Sequence, residues 1–307
     1  MGSKRTAWFD DSTLVRQFPW LYRQYARYCR TVVDRNTSLV RGGSALFRAI
    51  VGLHSRIGGK PACGVDTRTG IIFVNLSDIR FPQVLQEMIE DSAEVRILRT
   101  LLKPGDTFID IGANHGSYSV IASQIVGRDG LVIAFEPQHH LATLIGRSLQ
   151  ATAASEFEVI SAGCSDHAGT VEFFIPKHAS GSAGVFAQFS AAGEHRTTKI
   201  ALTTLDDVLE DIPVRGSLFL KLDVEGSEYN ALLGARETLR RHRPAILMEV
   251  NPSSAKASGH TVKELFDLFG ELGYDSICEI EEFPSPRSLA QADAETQRNI
   301  LVMPRPR

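Results

Sequence analysis

A chain of 307 residues with 43% hydrophobic and 22% charged side chains has the balance of a globular protein, which excludes general disorder. No apolar stretch approaches the roughly 20 residues of a membrane span, and no leader-like pattern opens the chain, so no membrane association is expected. The net charge of −3 conceals an asymmetry: residues 1–60 carry eleven Lys and Arg against three Asp, a net +8, which leaves −11 on the rest.

Taken in chain order, residues 1–80 read as an accessory cap and residues 81–307 as the main domain. Pro19 can open a helix running to about Val33, with Leu21, Tyr25 and Tyr28 on one stripe and arginines opposite. A second helix is expected over Ser44–Ile57. Gly58-Gly59-Lys60-Pro61 then breaks the pattern, and Asp66–Gly70 reads as a hairpin turn leading into Ile71–Val74. The basic cap is a candidate surface for an anionic partner or for homodimerisation. It lacks the basic and aromatic interleaving of a nucleic-acid module, so no nucleic-acid partner is expected.

Pro82 begins what reads as one long helix to Leu102, stopped by Lys103-Pro104-Gly105. From there strands and amphipathic helices alternate, the pattern of a parallel sheet covered on both faces. The predicted strands are Thr107–Ile111, Leu131–Phe135, Phe157–Gly163, Leu218–Leu222, Ala245–Val250, Tyr274–Glu279 and Asn299–Met303. Predicted helices lie at Ser117–Val126, Pro137–Ala153, Glu228–Arg241 and Val262–Leu272. Short strands at Val171–Ile175 and Lys199–Leu202 bracket a Gly/Ala/Ser-rich segment. That segment reads as a lid, with Phe186 and Phe189 as its apolar contacts. Only the loop 281–297 separates the last two strands, which favours antiparallel pairing. The expected fold is α/β and Rossmann-like: seven mostly parallel strands with the last antiparallel, plus the N-terminal helical and hairpin extension.

Strand ends carry the chemistry. The strand ending at Asp110 turns through Gly112, Ala113, Asn114, His115 and Gly116 into a helix, a geometry that brings backbone close to a ligand and aims N–H groups at an anion. The Gly-x-x-x-Gly spacing lacks the G-x-G-x-x-G of pyrophosphate-binding dinucleotide folds, so a nucleoside cofactor bearing a carboxylate, S-adenosylmethionine, suits it. Asp110 can then face the ligand ammonium. Glu136, before Pro137 at the second strand tip, can accept both ribose hydroxyls. After the third strand, Asp166 can accept from the adenine amino group, with the backbone of Cys164 or Ser165 meeting a ring nitrogen. An unactivated hydroxyl acceptor needs a base or a metal. Asp223, at the fourth strand tip, is the leading candidate for base or metal ligand, and His115 is a second candidate base. Glu249 and Asn251 could join Asp223 around Mg2+. Glu225 and Glu228 could instead cap the following helix, and Lys221 could pair with a carboxylate. The four cysteines form no C-x-x-C pair, as expected of a reduced cytoplasmic protein.

These residues resemble the FkbM family of methyltransferases. The resemblance runs through Lys103–Asp106, Asp110–Gly116, Phe135-Glu136-Pro137, Ser165-Asp166 and Thr204–Asp207, and above all Leu220–Glu228, covering roughly residues 100–255. It implies a class I O-methyltransferase acting on a small hydroxylated acceptor such as a sugar or polyketide, in natural-product or glycan pathways. The alternatives are an NAD-dependent oxidoreductase or epimerase on a similar sheet, which the missing G-x-G-x-x-G argues against, and a non-catalytic relative that binds a partner.

Overall fold

The computed structural model describes residues 62–176, 180–186 and 195–305. The helices expected at Pro19–Val33 and Ser44–Ile57, together with Phe189, lie outside the described residues.

The first described elements are β1 (Ala62–Asp66) and β2 (Ile71–Asn75), paired antiparallel as the hairpin predicted around Asp66–Gly70. The Thr67 hydroxyl closes the turn, accepting from the Gly70 amide at 3.1 Å. Next come α1 (Phe81–Glu87) and α2 (Ala93–Leu101), where a single helix was expected. Ser92 restarts the chain as an N-cap, its hydroxyl accepting from the Val95 amide at 3.3 Å. Asp91 beside it reaches Arg99 at 2.6 Å.

The core follows as β3 (Thr107–Ile111), α3 (Ser117–Val126), β4 (Leu131–Phe135), α4 (His139–Thr152) and β5 (Glu156–Ile160). The hairpin lies on α4: the Phe73 amide donates to the Ser148 hydroxyl at 2.8 Å and the Ile71 amide to the Thr152 hydroxyl at 2.7 Å. Cys63, Val65, Ile72 and Val74 share one buried cluster with Val120, Ile145 and Leu149. The hairpin and Leu76 are therefore packed into the core of the domain that follows them.

The strand predicted over Phe157–Gly163 divides. After β5 the chain leaves the main sheet, and β6 (Gly163–Cys164) joins β7 (Gly169–Pro176) and β8 (His195–Thr203) in a separate three-stranded sheet ordered β6-β8-β7. The Ile160 carbonyl accepts from the Glu136 amide at 3.1 Å, the last bond before the departure. Phe173, Ile175, Ile200 and Ala183 form the small core of this sheet.

The chain continues through α5 (Leu205–Asp211), β9 (Leu218–Leu222), α6 (Glu228–Leu233), α7 (Arg236–His242), β10 (Ala245–Val250), α8 (Pro252–Ala257), α9 (Val262–Glu271), β11 (Tyr274–Glu279), β12 (Arg287–Ser288) and β13 (Arg298–Pro304). The helix predicted over Glu228–Arg241 breaks at Gly234, whose carbonyl accepts from the Asp206 amide at 3.0 Å instead of continuing the helix. Asp206 then caps α7, its carboxylate accepting from the Glu237 and Thr238 amides at 3.0 and 2.9 Å.

The main sheet is ordered β12-β11-β13-β10-β9-β3-β4-β5. β5, β4, β3, β9 and β10 run parallel, and β13 is antiparallel to both neighbours. This is the expected Rossmann-like class I arrangement with one strand more, eight in place of seven. The extra rung forms because the loop after β11 folds back, with Ile277 opposite Arg287, and Arg287 pairs with Glu279. β3 is buried along its whole length: Ile109 and Ile111 pack with Leu220 and Leu222 on one face, while Phe108 stacks on Phe219 with centroids 6.0 Å apart on the other. No helix among the described residues is long and apolar enough to cross a membrane.

Candidate active site

A cavity of about 290 Å³ opens at the carboxyl ends of β9, β3 and β4 and extends to the small sheet, the position where open α/β sheets bind ligands. Among its walls are Gly112, Asn114, Glu136, Pro137, Cys164, Ser165 and Asp223. Sequence reasoning singled out all seven.

Glu136 is buried, and its two oxygens accept from the Asn114 amide at 2.9 Å and the Gln138 amide at 2.8 Å. Burial pushes its carboxyl up to about 8, against the two amide bonds that lower it. Gly112, at φ +83°, must lack a side chain because a Cβ there would lie 1.9 Å from the Asp223 carbonyl oxygen. The carboxylate of Asp223 is one-third exposed, and the Lys221 ammonium stands 3.6 Å from it. Lys221 also reaches Asp110 at 3.5 Å and lies over the Tyr118 ring, 5.1 Å from its centroid, so the expected pairing of Lys221 with a carboxylate is present.

Seven candidates lie outside the cavity wall, Glu249 and Asn251 of the metal set among them. Asp110 is fully buried beneath the turn, accepts from the Ser119 hydroxyl at 2.7 Å and faces Lys221. It therefore anchors the strand instead of facing a ligand ammonium. Ala113 packs into the core. Gly116, at φ +80°, starts α3, and a Cβ there would lie 3.0 Å from Ile145 Cγ1. Asp166 turns outward, its carboxylate accepting from Ser165 at 3.0 Å and paired with His167 at 2.7 Å; His167, which the sequence offers as a possible base but reads as a bystander, lines the cavity. His115 is buried with Nδ1 2.6 Å from Asn114 Oδ1, and burial, with the Arg80 charge second, lowers it to about 3. That is too weak a base near neutrality.

The Mg2+ set is not assembled. Asn251 Oδ1 caps α8, accepting from the Ser253 and Ser254 amides at 3.1 and 3.2 Å. Glu249 accepts from Gln297 at 2.7 Å. Among the described residues no group of three or more His, Cys, Asp and Glu could hold a metal ion.

Two carboxyls after β9 divide their tasks. Glu228 Oε1 accepts from the Val224 and Gly226 amides, both at 3.2 Å, and so ties the turn as expected of a capping residue. Glu225 lines the cavity in the left-handed region at φ +52°, a strained conformation for a residue with a side chain. Burial, then the neighbouring Asp223, raise it to about 8.

Arg80 also lines the cavity, and sequence reasoning did not find it. It precedes α1, donates to Glu87 at 3.2 Å and leaves its buried Nε without a partner. Gly181 packs on it so closely that a Cβ would lie 2.4 Å from Arg80 Cδ. The sole hint in the sequence is Asp78, whose carboxylate accepts from the Arg80 and Ser180 amides at 2.9 and 3.1 Å. Ser180 in turn accepts from Asn114 Nδ2 at 3.0 Å through its hydroxyl and from Gln138 Nε2 at 3.2 Å through its carbonyl. The described part of the expected lid, with Ala183, Val185 and Phe186 on the cavity, is thus bonded to the cofactor turn.

S-adenosylmethionine fits this donor set: a buried carboxylate at the second strand tip, a glycine whose Cβ would fill the turn, and a cavity near the lower end of the range for small-molecule sites. Glu136 would take the ribose, and Cys164 and Ser165 the adenine.

A curated relative, the AMB antimetabolite synthetase AmbE of Pseudomonas aeruginosa, is 27% identical over 239 residues, 66% of this chain. The chain spans 11% of that relative's length. Similar solved structures include methyltransferase FkbM from Methylobacillus flagellatus, 18% identical over 73% of this chain and 55% of that one, TM-score 0.39. Another is an S-adenosylmethionine-dependent O-methyltransferase from Thermotoga maritima, 15% identical over 83% and 82%, TM-score 0.38. The family model described as the methyltransferase FkbM domain matches residues 110–276. With more than half of its length inside that match, the chain belongs to the FkbM methyltransferase family.

Proposed function

We propose that this methyltransferase transfers a methyl group from S-adenosylmethionine to a hydroxyl oxygen of a small molecule, with Asp223 as the base. The observation that carries the proposal is the Asp223 carboxylate: it stands in the cavity wall at the tip of β9, against the glycine turn, with Lys221 3.6 Å away. S-adenosylmethionine, when bound, supplies a methyl carbon activated by its sulfonium.

Everything else falls to the chain. Glu136 and the Ser165 region orient the nucleoside, while Phe173, Val185 and Phe186 line the cavity with apolar surface that excludes water. Asp223 accepts the proton that the acceptor hydroxyl gives up as its oxygen becomes an ether. Glu225, raised to about 8 by burial and by Asp223, is protonated near neutrality. The name of AmbE supports an acceptor from natural-product chemistry, a sugar or polyketide alcohol among them.

The test is methyl transfer to a panel of sugars, nucleotide sugars and polyketide alcohols, with Mg2+ or with EDTA. Asp223→Asn is expected to bind S-adenosylhomocysteine as the parent does and to lose turnover by about 10²–10⁴-fold. Undiminished turnover in that variant would remove Asp223 from its role. Because Glu249 and Asn251 are committed elsewhere, EDTA is expected to leave the rate unchanged.

A further inference from the structure

The glycine turn was expected to cradle the cofactor carboxylate with free N–H groups, and most of them are already committed. The Gly112 and Ala113 amides both donate to the Phe135 carbonyl, at 3.0 and 2.9 Å, the Gly116 amide donates to the Ala113 carbonyl at 2.7 Å, and the Asn114 amide donates to Glu136 at 2.9 Å. Four of the five N–H groups of the Gly112–Gly116 turn are therefore spent within the chain.

We infer that the carboxylate of the cofactor's amino-acid end is held by Arg80, which enters the cavity from the segment ahead of the parallel sheet. This rests on the methyltransferase reading above. Among the described residues Arg80 is the sole Lys or Arg lining the cavity. A guanidinium carries five N–H donors in a fork that matches a carboxylate; one donates to Glu87, and the buried Nε has no partner. A buried donor left open at a cavity wall is the position a ligand acceptor completes.

Placement agrees with this assignment. Glu87, the partner of Arg80, also accepts from the Ser117 hydroxyl at the start of α3. Arg80 thus stands beside the start of α3, the helix that follows β3, and near the Asp223 charge at the tip of β9. A nucleoside with its ribose at Glu136 and its adenine toward Ser165 has its amino-acid end on the Arg80 side. Asp223 shares that side, and a cation beside a carboxylate complements a zwitterion better than a plain anion.

The test is titration calorimetry of the full chain and of Arg80→Met with two ligands, S-adenosylhomocysteine and its decarboxylated analogue. The parent is expected to prefer the intact ligand by about 10- to 100-fold, the range of a charge-assisted pair. Arg80→Met is expected to bind both alike, with the analogue bound as in the parent, and Arg80→Lys to recover part of the preference. A preference that survives in Arg80→Met overturns the assignment, and so does loss of the analogue, because Arg80 would then only shape the wall. If the parent binds neither ligand, the methyltransferase reading itself falls and takes the assignment with it.

Discussion

The α-carbon of Gly112 lies against the main-chain carbonyl of Asp223, so close that an added Cβ would sit 1.9 Å from that oxygen. The turn that follows β3 and the tip of β9, 111 residues apart in the chain, are in backbone contact. The Asp223 amide donates to the Ile111 carbonyl at 3.0 Å in the same place. One glycine thereby sets the distance between the cofactor turn and the proposed base.

Gly112→Ala must therefore move one of the two segments. Alanine at φ +83° costs about 1–2 kcal/mol, and the overlap adds about 1–3 kcal/mol. A fall of about 2–5 kcal/mol in unfolding free energy by urea titration is expected, together with loss of S-adenosylhomocysteine binding. Unchanged binding would show that the contact does not shape the site.

The ligand-free protein is expected to lose stability as pH rises from about 4.5 to about 8. Glu136 and Glu225 both have folded-state values near 8 against an ordinary 4.5, raised first by burial. An acid with a raised folded value binds its proton more tightly when folded. Its stabilising contribution is complete below 4.5 and disappears as pH climbs through 8. Thermal melts across that range should show a falling Tm, and Glu136→Gln should flatten the slope. A Tm that rises over this window contradicts the assignment.

Lys221→Met is expected to cost about 3–5 kcal/mol, the usual penalty for removing one partner of a buried ion pair. Most of this comes from Asp110, which is fully buried and has an oxygen with no hydrogen-bond partner; Asp223, one-third exposed, adds less. Chemical denaturation of Lys221→Met alongside Lys221→Met/Asp110→Asn provides the check, since the second substitution should restore much of the loss.

The sheet was legible because its strands are short apolar runs with turn signals between them, and β3, β4, β9, β10, β11 and β13 fall where those runs lie. Periodicity could not see tertiary contacts that cut an element in two. Ser92 restarts a helix by capping it, Gly234 gives its carbonyl to Asp206, and the chain leaves the sheet after Ile160 for a partner strand at β8. The site divides in the same way. Residues whose role depends on a strand tip, such as Glu136 and Asp223, were readable from their place at the end of an apolar run. Asp110, Ala113 and Gly116 belong to the same motif, yet they serve the scaffold, because only the structure tells which side of a turn faces the cavity. Arg80 was nearly invisible, since it stands in a loop and the packing that holds it against the cavity comes from Gly181, about a hundred residues later in the chain.

The hairpin at 62–75 gives two backbone amides to hydroxyls of α4 and four side chains to the core beneath it. Excising the enzyme at the limits of its recognisable domain, residues 110–276, would strip the outer face of α4, remove α1 and α2, and discard Arg80 with them. Such a fragment would keep the family's signature while missing a wall of its own binding site. Any portable version of this catalyst has to include the hairpin.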